Sequence, residues 1–166
     1  MTVDLIITTL EQQADAYRQL LELAKEKTPY LVHNQVEQLN VVLQKERKLL
    51  KTTEELEQLR MKLSGNYFAS IGMLRYKGGK ISELIRTVTS SQDKKRLIDL
   101  HAELIASLDE LQRASQLNQQ LIEQSLKFID YSIDLMVEDP SEGMTYQNPR
   151  HLVYGTKRNG LFDTRG

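Results

Sequence analysis

Histidines are the side chains of this sequence best suited to hold a metal ion, but their positions do not form a site. His33, His101 and His151 lie far apart and do not have the spacing of a metal-ligand motif. His101-Ala102-Glu103 has the form of the start of a zinc deaminase motif. The cysteines that complete that motif are missing, because the chain has no cysteine. The sequence therefore predicts no metal site.

Gly78-Gly79-Lys80 is a second candidate site, because a glycine-rich turn before a lysine can bind phosphate groups. A Walker loop needs four residues between its first glycine and the Gly-Lys pair, followed by serine or threonine. Here Gly72 lies seven positions before Gly79, and an apolar residue follows the lysine. We interpret the segment as a turn with solvent-exposed lysines. A nucleotide-dependent enzyme or regulator that uses this turn together with Lys77 is an alternative, which nucleotide titration would test.

The rest of the sequence gives no support for catalysis. The absence of cysteine excludes disulfides, thiolate metal sites, iron–sulfur clusters and thiol nucleophiles. The sequence contains neither a nucleophile elbow nor a dinucleotide-binding fingerprint. Acidic and basic residues alternate, for example over 54–62, as they do on solvated helix surfaces. We predict that the protein is not an enzyme and requires no cofactor.

Charge and hydropathy limit the possible partners. Lys and Arg number 22 against 23 Asp and Glu, so the chain lacks the positive excess of a general nucleic-acid binder. No apolar run is longer than three residues, whereas a secretory signal needs roughly 7–15 and a membrane span about 20. We expect a cytoplasmic protein that neither binds nucleic acid nor inserts into a membrane.

The elements that would carry any function are helices. Ala, Glu, Lys, Leu, Arg and Gln supply 83 of the 166 residues, a composition typical of long helices. Apolar residues recur every seven positions from Val3 to Leu31, which predicts a helix over about 2–27 that packs against another helix. We expect Thr28-Pro29 to end this helix, because proline lacks an N–H donor and restricts the residue before it.

A second helix is predicted to begin at Asn34, whose side chain would form a capping box with Glu37. Gly65-Asn66 is a plausible stop, but we expect the helix to continue to about Ile71. Glu46 places a charge where the heptad pattern would have an apolar residue. We expect its carboxylate to be paired or to lie at the edge of the apolar face.

Two further helices are expected after a glycine-rich stretch. A short helix is predicted over Ile81–Val88, and a long one begins after Ser90 or Ser91 as N-cap and runs to about Val137. The sequence thus predicts an all-α fold, an elongated antiparallel three-helix bundle or coiled coil with a short extra helix and a flexible C-terminal tail. The predicted boundaries are 1–139 for the helical domain and 140–166 for the tail.

The last helix has two neighbouring apolar stripes, more than one neighbouring helix can cover. The heptad line that would face a neighbouring helix, which we call the seam, becomes polar at Asn118, Ser125 and Ser132. Polar seam residues can fix register or partner, or the second half of this helix can fray or face solvent, and both interpretations remain open. The apolar residues here could be bundle core or a groove for a partner helix. The groove would be lined by Leu121, Ile122, Phe128, Ile129, Leu135 and Met136.

Several stretches of the chain resemble the FlgN family. The runs YLVHNQVEQL at 30–39, QKERKLL at 44–50 and LEQLR at 56–60 are similar to the second helix of that family. Leu111, NQQLIEQSL at 118–126 and Phe128-Ile129 are similar to its later part. Tyr154-Gly155 and the terminal Leu161-Phe162-Asp163 resemble the ends of FlgN-like chains from Gram-positive bacteria. The resemblance spans nearly the whole chain.

The resemblance implies a specific function. FlgN-type proteins are cytosolic export chaperones that bind the C-terminal helix-forming regions of the two hook–filament junction proteins. They prevent premature polymerisation and present these proteins to the flagellar type III export gate. On this chain the implied substrate surface is Asn118 to Met136, which adds Asn118 and Ser125 to the six groove residues.

The tail and the oligomeric state keep their own alternatives. The resemblance implies that the tail from Pro140 helps in handover, and Leu161 with Phe162 is either a short docking motif or an unused apolar pair. Nothing is transferred to the Gly78-Gly79 turn. The alternative function is a structural coiled-coil protein that forms a homodimer through the same apolar surplus, which light scattering on the isolated chain would detect.

Overall fold

The computed structural model describes residues 2–76 and 78–137, and most of them lie in helices. The elements are α1 (Thr2–Val32), α2 (Val36–Ser70), α3 (Ile81–Thr87) and α4 (Ser91–Val137), and the described residues contain no strand. The predicted all-α fold is therefore confirmed. The predicted tail, with Leu161 and Phe162, lies outside the described residues.

α1 does not end at Thr28-Pro29, and that prediction is wrong. The helix continues to Val32, and the N–H of His33 donates to the Pro29 carbonyl at 3.0 Å. A proline inside a helix removes one backbone hydrogen bond and costs about 3 kcal/mol. Just before the proline, the Ala24 carbonyl accepts a hydrogen bond from the side chain of Asn118 in α4 at 2.7 Å. This tertiary contact, which the local sequence does not reveal, stabilises the turn of α1 that precedes Pro29.

The predicted capping box of Asn34 and Glu37 is also wrong. Asn34 has a φ of +54°, in the left-handed region that asparagine tolerates better than most residues. In that conformation it ends α1, and the N–H of Gln35 donates to the Tyr30 carbonyl at 2.9 Å. The N-cap of α2 is instead Gln35, which makes no side-chain capping bond. Asn34 thus closes the first helix and does not open the second.

The remaining helix boundaries agree with the predictions. α2 continues through Gly65-Asn66 to Ser70, and Gly72 (φ +78°) then donates its N–H to the Ala69 carbonyl at 3.1 Å in a glycine C-cap. α3 begins at Ile81, as expected. The hydroxyl of Ser90 accepts the N–H of Asp93 at 3.3 Å, which confirms the predicted N-cap of α4.

α1 and α2 pack as antiparallel neighbours. Lys27 near the end of α1 pairs with Glu46 near the start of α2, with Nζ and Oε1 2.7 Å apart and both side chains mostly buried. Gln13, earlier in α1, donates to Glu57, later in α2, at 2.8 Å. The expectation that Glu46 is paired is confirmed.

α1 and α4 run in the same direction, as the first and third helices of an up-down-up bundle do. Three ion pairs join them, and successive pairs are seven residues apart on both helices, which is the register of a coiled coil. Their side chains are largely exposed, so each contributes only about 0–1 kcal/mol. They specify alignment more than stability. The pairs are Glu11–Arg96 (2.6 Å), Arg18–Glu103 (3.0 Å) and Lys25–Glu110 (4.0 Å).

The apolar core joins one end of all four helices. Phe68 of α2 is fully buried, and its ring packs against the rings of Tyr67 and Tyr76. Burying side chains of this kind stabilises the fold by about 1.5–3 kcal/mol each. Besides Phe68, the core consists of Ile6, Ile7, Leu10, Ala14, Leu84, Val88, Leu97, Leu100 and Leu104.

The chain divides into two compact units, one ending at Gln124 and the other beginning at Ser125. The division falls within α4, so its two parts are described separately below. The predicted boundary between residues 139 and 140 stays a prediction. Within the described ranges, no helix is long and apolar enough to cross a membrane.

Candidate partner-binding surface

Asn118 forms a polar contact between α4 and α1 inside the first unit. Its side chain is 2% exposed, its Nδ2 donates to the Ala24 carbonyl at 2.7 Å, and its Oδ1 accepts the Thr28 hydroxyl at 2.7 Å. A buried amide needs such partners, because leaving it unpaired costs about 1–3 kcal/mol. Asn118 therefore fixes the position of α4 against α1, and its side chain is not part of an exposed surface.

After Asn118, α4 buries none of its described side chains. In the first unit, Leu121 is half-buried and Ile122 is exposed. The earlier residues Leu97, Leu100 and Leu104 of the same helix are all buried. The apolar pattern thus continues along α4, whereas burial of its side chains ends at Asn118.

The segment Ser125–Val137 of α4, which we call the distal segment, carries large apolar side chains that are open to solvent. Phe128 is 69% exposed, Ile129 48%, Leu135 57% and Met136 85%. Ser125 is half-buried. An exposed apolar patch of this kind on a monomer marks an interaction site or an aggregation liability. These side chains are not packed in the core of the described helices, so the two interpretations that remain are a solvent-facing end of the helix and a groove for a partner.

A polar cluster on α1 and α2 was not apparent from the sequence. Glu57 accepts hydrogen bonds from Gln13 and from both Nε and Nη2 of Arg60, at 2.6–2.8 Å. The Arg60 guanidinium holds the pKa of Glu57 below its ordinary value, because it stabilises the carboxylate. Burial, with the nearby Glu57 charge, raises the pKa of Tyr17. The pair of Glu57 and Arg60 could be predicted from their spacing of three residues on one helix. The hydrogen bond between Gln13 and Glu57, 44 residues apart, could not.

The same cluster accounts for the Gly78-Gly79-Lys80 turn. Arg60 donates to the Gly79 carbonyl at 3.1 Å, and the Lys80 N–H donates to the carboxylate of Glu83 at 3.1 Å. A Cβ at Gly79 would come too close to that carboxylate, so the Glu83 side chain would have to move to make room for it. The Lys80 N–H, which would donate to a phosphate in a nucleotide-binding loop, thus already donates to a carboxylate. Lys77 lies outside the described residues, and the geometry of Gly78, Gly79 and Lys80 gives the nucleotide-binding alternative no support.

Metal binding has no support in the described ranges either. His33 and His101 lie on separate parts of the chain, and residues 2–76 and 78–137 contain no group of three His, Cys, Asp or Glu that could hold a metal ion. His151 lies outside these ranges. The exposed apolar residues of α4 therefore remain the candidate functional site.

Comparison with known protein families finds one that covers most of the chain. A family profile described as FlgN protein matches residues 1–151. The chain belongs to the FlgN family. Membership confirms the resemblance stated above and implies a flagellar export chaperone role, in a family of chaperones and not of known enzymes.

One relative is similar over nearly the full chain. The protein named Uncharacterized protein YvyG, from Bacillus subtilis (strain 168), is 28% identical over 165 residues, covering 99% of each chain. No solved structure matches the chain.

Proposed function

We propose that this protein is a cytoplasmic chaperone for the hook–filament junction proteins. It binds their C-terminal helical segments on the exposed face of α4, prevents their premature assembly, and delivers them to the flagellar type III export gate. Membership of the FlgN family supports the general role. The choice of α4 as the binding surface is supported by its own side chains.

The observation that carries the proposal is the exposure of the distal segment. Phe128 and Met136 are among the most exposed large apolar residues in the described part of the chain. Aromatic residues often supply a large share of interface energy, because they bury a large rigid area. Phe128 is thus the expected anchor, with Ile129 and Leu135 beside it. Leu121 and Ile122, at the end of the first unit, remain proposed contacts.

The physical chemistry of the task fits such a surface. A partner segment that is disordered when free can fold as an amphipathic helix when its apolar side meets an apolar groove. Burial contributes roughly 25 cal/mol per Å². Association and ordering consume much of that gain, so the affinity depends on a few well-placed side chains and not on area alone.

The tail enters the proposal through the family, and its terminal apolar pair enters through the sequence alone. We propose that the tail from Pro140 helps in handover and that Leu161 and Phe162 form a short docking motif. Both assignments lie outside the described residues. Export of a junction protein by cells that carry Leu161→Ala with Phe162→Ala tests them separately from binding to α4.

The experiment that tests the function is light scattering after size exclusion, with the full chain alone and mixed with a junction protein's C-terminal segment. We expect a stable one-to-one complex. Phe128→Ala should weaken it without changing helix content, whereas Leu5→Ala, a similarly exposed apolar residue on α1, should not. A tight homodimer of the free chain that binds no segment would contradict the proposal and favour the structural coiled-coil alternative.

A further inference from the structure

The distal segment is apolar around most of its circumference. At 3.6 residues per turn, its apolar and serine side chains span about two-thirds of the helix surface. The remaining third carries Lys127, Asp130 and Asp134. Ordinary surface helices confine their apolar residues to a stripe little wider than about 100°. This segment therefore presents more apolar surface than one packed helix covers.

Two faces can be distinguished on this surface. The Phe128 face consists of Phe128, Tyr131 and Leu135, which lie about one helical turn apart. Leu126, Ile129 and Ile133 form the Ile129 face by the same spacing. Ser125 and Ser132 lie between the two faces, and Met136 follows them on the same line at the end of the segment. All six apolar residues are exposed, from 38% for Ile133 to 69% for Phe128.

A single partner helix would leave one of these faces open to water. A helix that is apolar nearly all round is normally buried on several sides. The serines add a second argument, because small side chains between two apolar ridges let two neighbouring helices approach each other closely above them. The pattern is thus that of one member of a three-helix arrangement whose other two members are not among the described helices, since the apolar residues of both faces are exposed.

The charged residues indicate that the two occupants differ. Lys127 is the only lysine or arginine of the distal segment, and it borders the Phe128 face beside Tyr131, four residues later. A helix on that face gains from an acidic residue at its edge. No basic residue of the distal segment borders the Ile129 face. Charge complementarity therefore favours two different helices over two copies of one.

We propose that the distal segment binds two amphipathic helices of one partner molecule at the same time, one on each face. The helix on the Phe128 face carries an acidic edge, and the two partner helices meet over Ser125 and Ser132. This inference rests on the proposed function and narrows the substrate class. The chaperone recognises a helical pair and not an isolated helix.

The absence of cysteine makes a direct test possible. Single variants Tyr131→Cys, on the Phe128 face, and Ile133→Cys, on the Ile129 face, are labelled with a fluorophore that iodide quenches. Asp134→Cys, on the charged third, is the matched control. Each labelled full-length protein is measured alone and with the intact junction protein of the same organism. Leu135→Cys and Leu126→Cys repeat the two measurements in case either first variant disturbs binding.

We expect the partner to protect both faces from iodide in a one-to-one complex, while quenching at Asp134→Cys stays unchanged. Protection of one face alone would overturn the helical pair and leave the proposed function intact. Protection of both faces in a complex with two chaperone chains would also overturn it, because a second copy would then cover one face. A complex that protects neither face would overturn the inference and move the binding surface elsewhere. Failure to form any complex would remove the proposed function as well.

Discussion

The two ends of α4 contain the same kind of sequence and meet different environments. Leu97 and Leu104, in the first part, are buried against the other helices of the first unit. Phe128 and Leu135, in the distal segment, stand on a similar seven-residue spacing and are mostly exposed. The difference lies in what covers the stripe and not in its hydropathy. A heptad pattern thus predicts that a partner exists without saying whether this chain provides it.

Polar seam residues show the same contrast. Asn118 is buried and hydrogen-bonded to two groups of α1, so it acts in the folding of the chain itself. Ser132 lies on the same heptad line, and its hydroxyl donates only to the Phe128 carbonyl of its own helix at 2.8 Å. One line of polar residues therefore contains both a contact between helices and a serine whose hydroxyl is bonded within its own helix.

The largest expected difference between the two regions is in the free energy of unfolding. Leu97→Ala should lower it by about 2–5 kcal/mol, because the substitution leaves a cavity in the core. Leu135→Ala should change it by no more than about 0.5 kcal/mol, because the side chain is exposed. Urea denaturation of both variants measures this. Equal losses for the two would show that the distal segment is packed and would contradict the comparison.

Asn118→Ala is expected to have the next largest effect. It removes the side-chain amide that donates to the Ala24 carbonyl and accepts from the Thr28 hydroxyl, at a cost of about 1–3 kcal/mol. Ser132→Ala is the matched control on the same heptad line, with an expected change below about 0.5 kcal/mol. Thermal melts followed by circular dichroism compare the two. A control variant as unstable as Asn118→Ala would mean that the seam is uniform along α4.

The fold could be predicted from the sequence where local signals decide it. Ser90 as N-cap and the pairing of Glu46 both follow from residue type and spacing. Pro29 and Asn34 were misjudged for different reasons. A contact from Asn118 some ninety residues away stabilises the helix before the proline, and the asparagine adopts a left-handed conformation that ends one helix before the next begins.

The candidate site could be predicted only in part. The surplus apolar stripe was visible in the sequence from Leu121 to Met136, but its two halves could not be told apart. Asn118 fits the pattern of the exposed residues and is nevertheless buried. Asn118 is buried because α1 extends far enough to pack against it. The sequence predicted an earlier end for α1, at Thr28-Pro29, and so could not indicate this contact.

Acid should weaken the packed region through Glu57. Because Arg60 lowers the pKa of Glu57 in the folded protein, the unfolded chain binds the proton more tightly. The stabilisation is complete above the ordinary carboxyl value of 4.5 and is lost as the pH falls through the lower folded value. Melting temperatures from pH 7 to pH 3 should fall less steeply for Glu57→Gln. Identical slopes would mean that the Glu57–Arg60 pair does not contribute to the fold.

The smallest effect is expected from removing the tail. A chain cut after Asp139 should melt at the same temperature and with the same cooperativity as the full chain, because the core of the described helices is complete before residue 105. Differential scanning calorimetry of the two proteins is the measurement. A lower or broader transition after truncation would show that residues 140–166 pack against the helices.

The central claim is that the distal segment serves a partner and not the fold. Ile129→Asp tests it most directly, with Leu5→Asp as a control of the same chemistry on another exposed apolar residue. Each variant is melted alone and then titrated with a junction protein's C-terminal segment. We predict that Ile129→Asp keeps the melting temperature of the unmodified chain and loses the complex, while Leu5→Asp keeps both. A lower melting temperature for free Ile129→Asp, or an undiminished complex, would contradict the account.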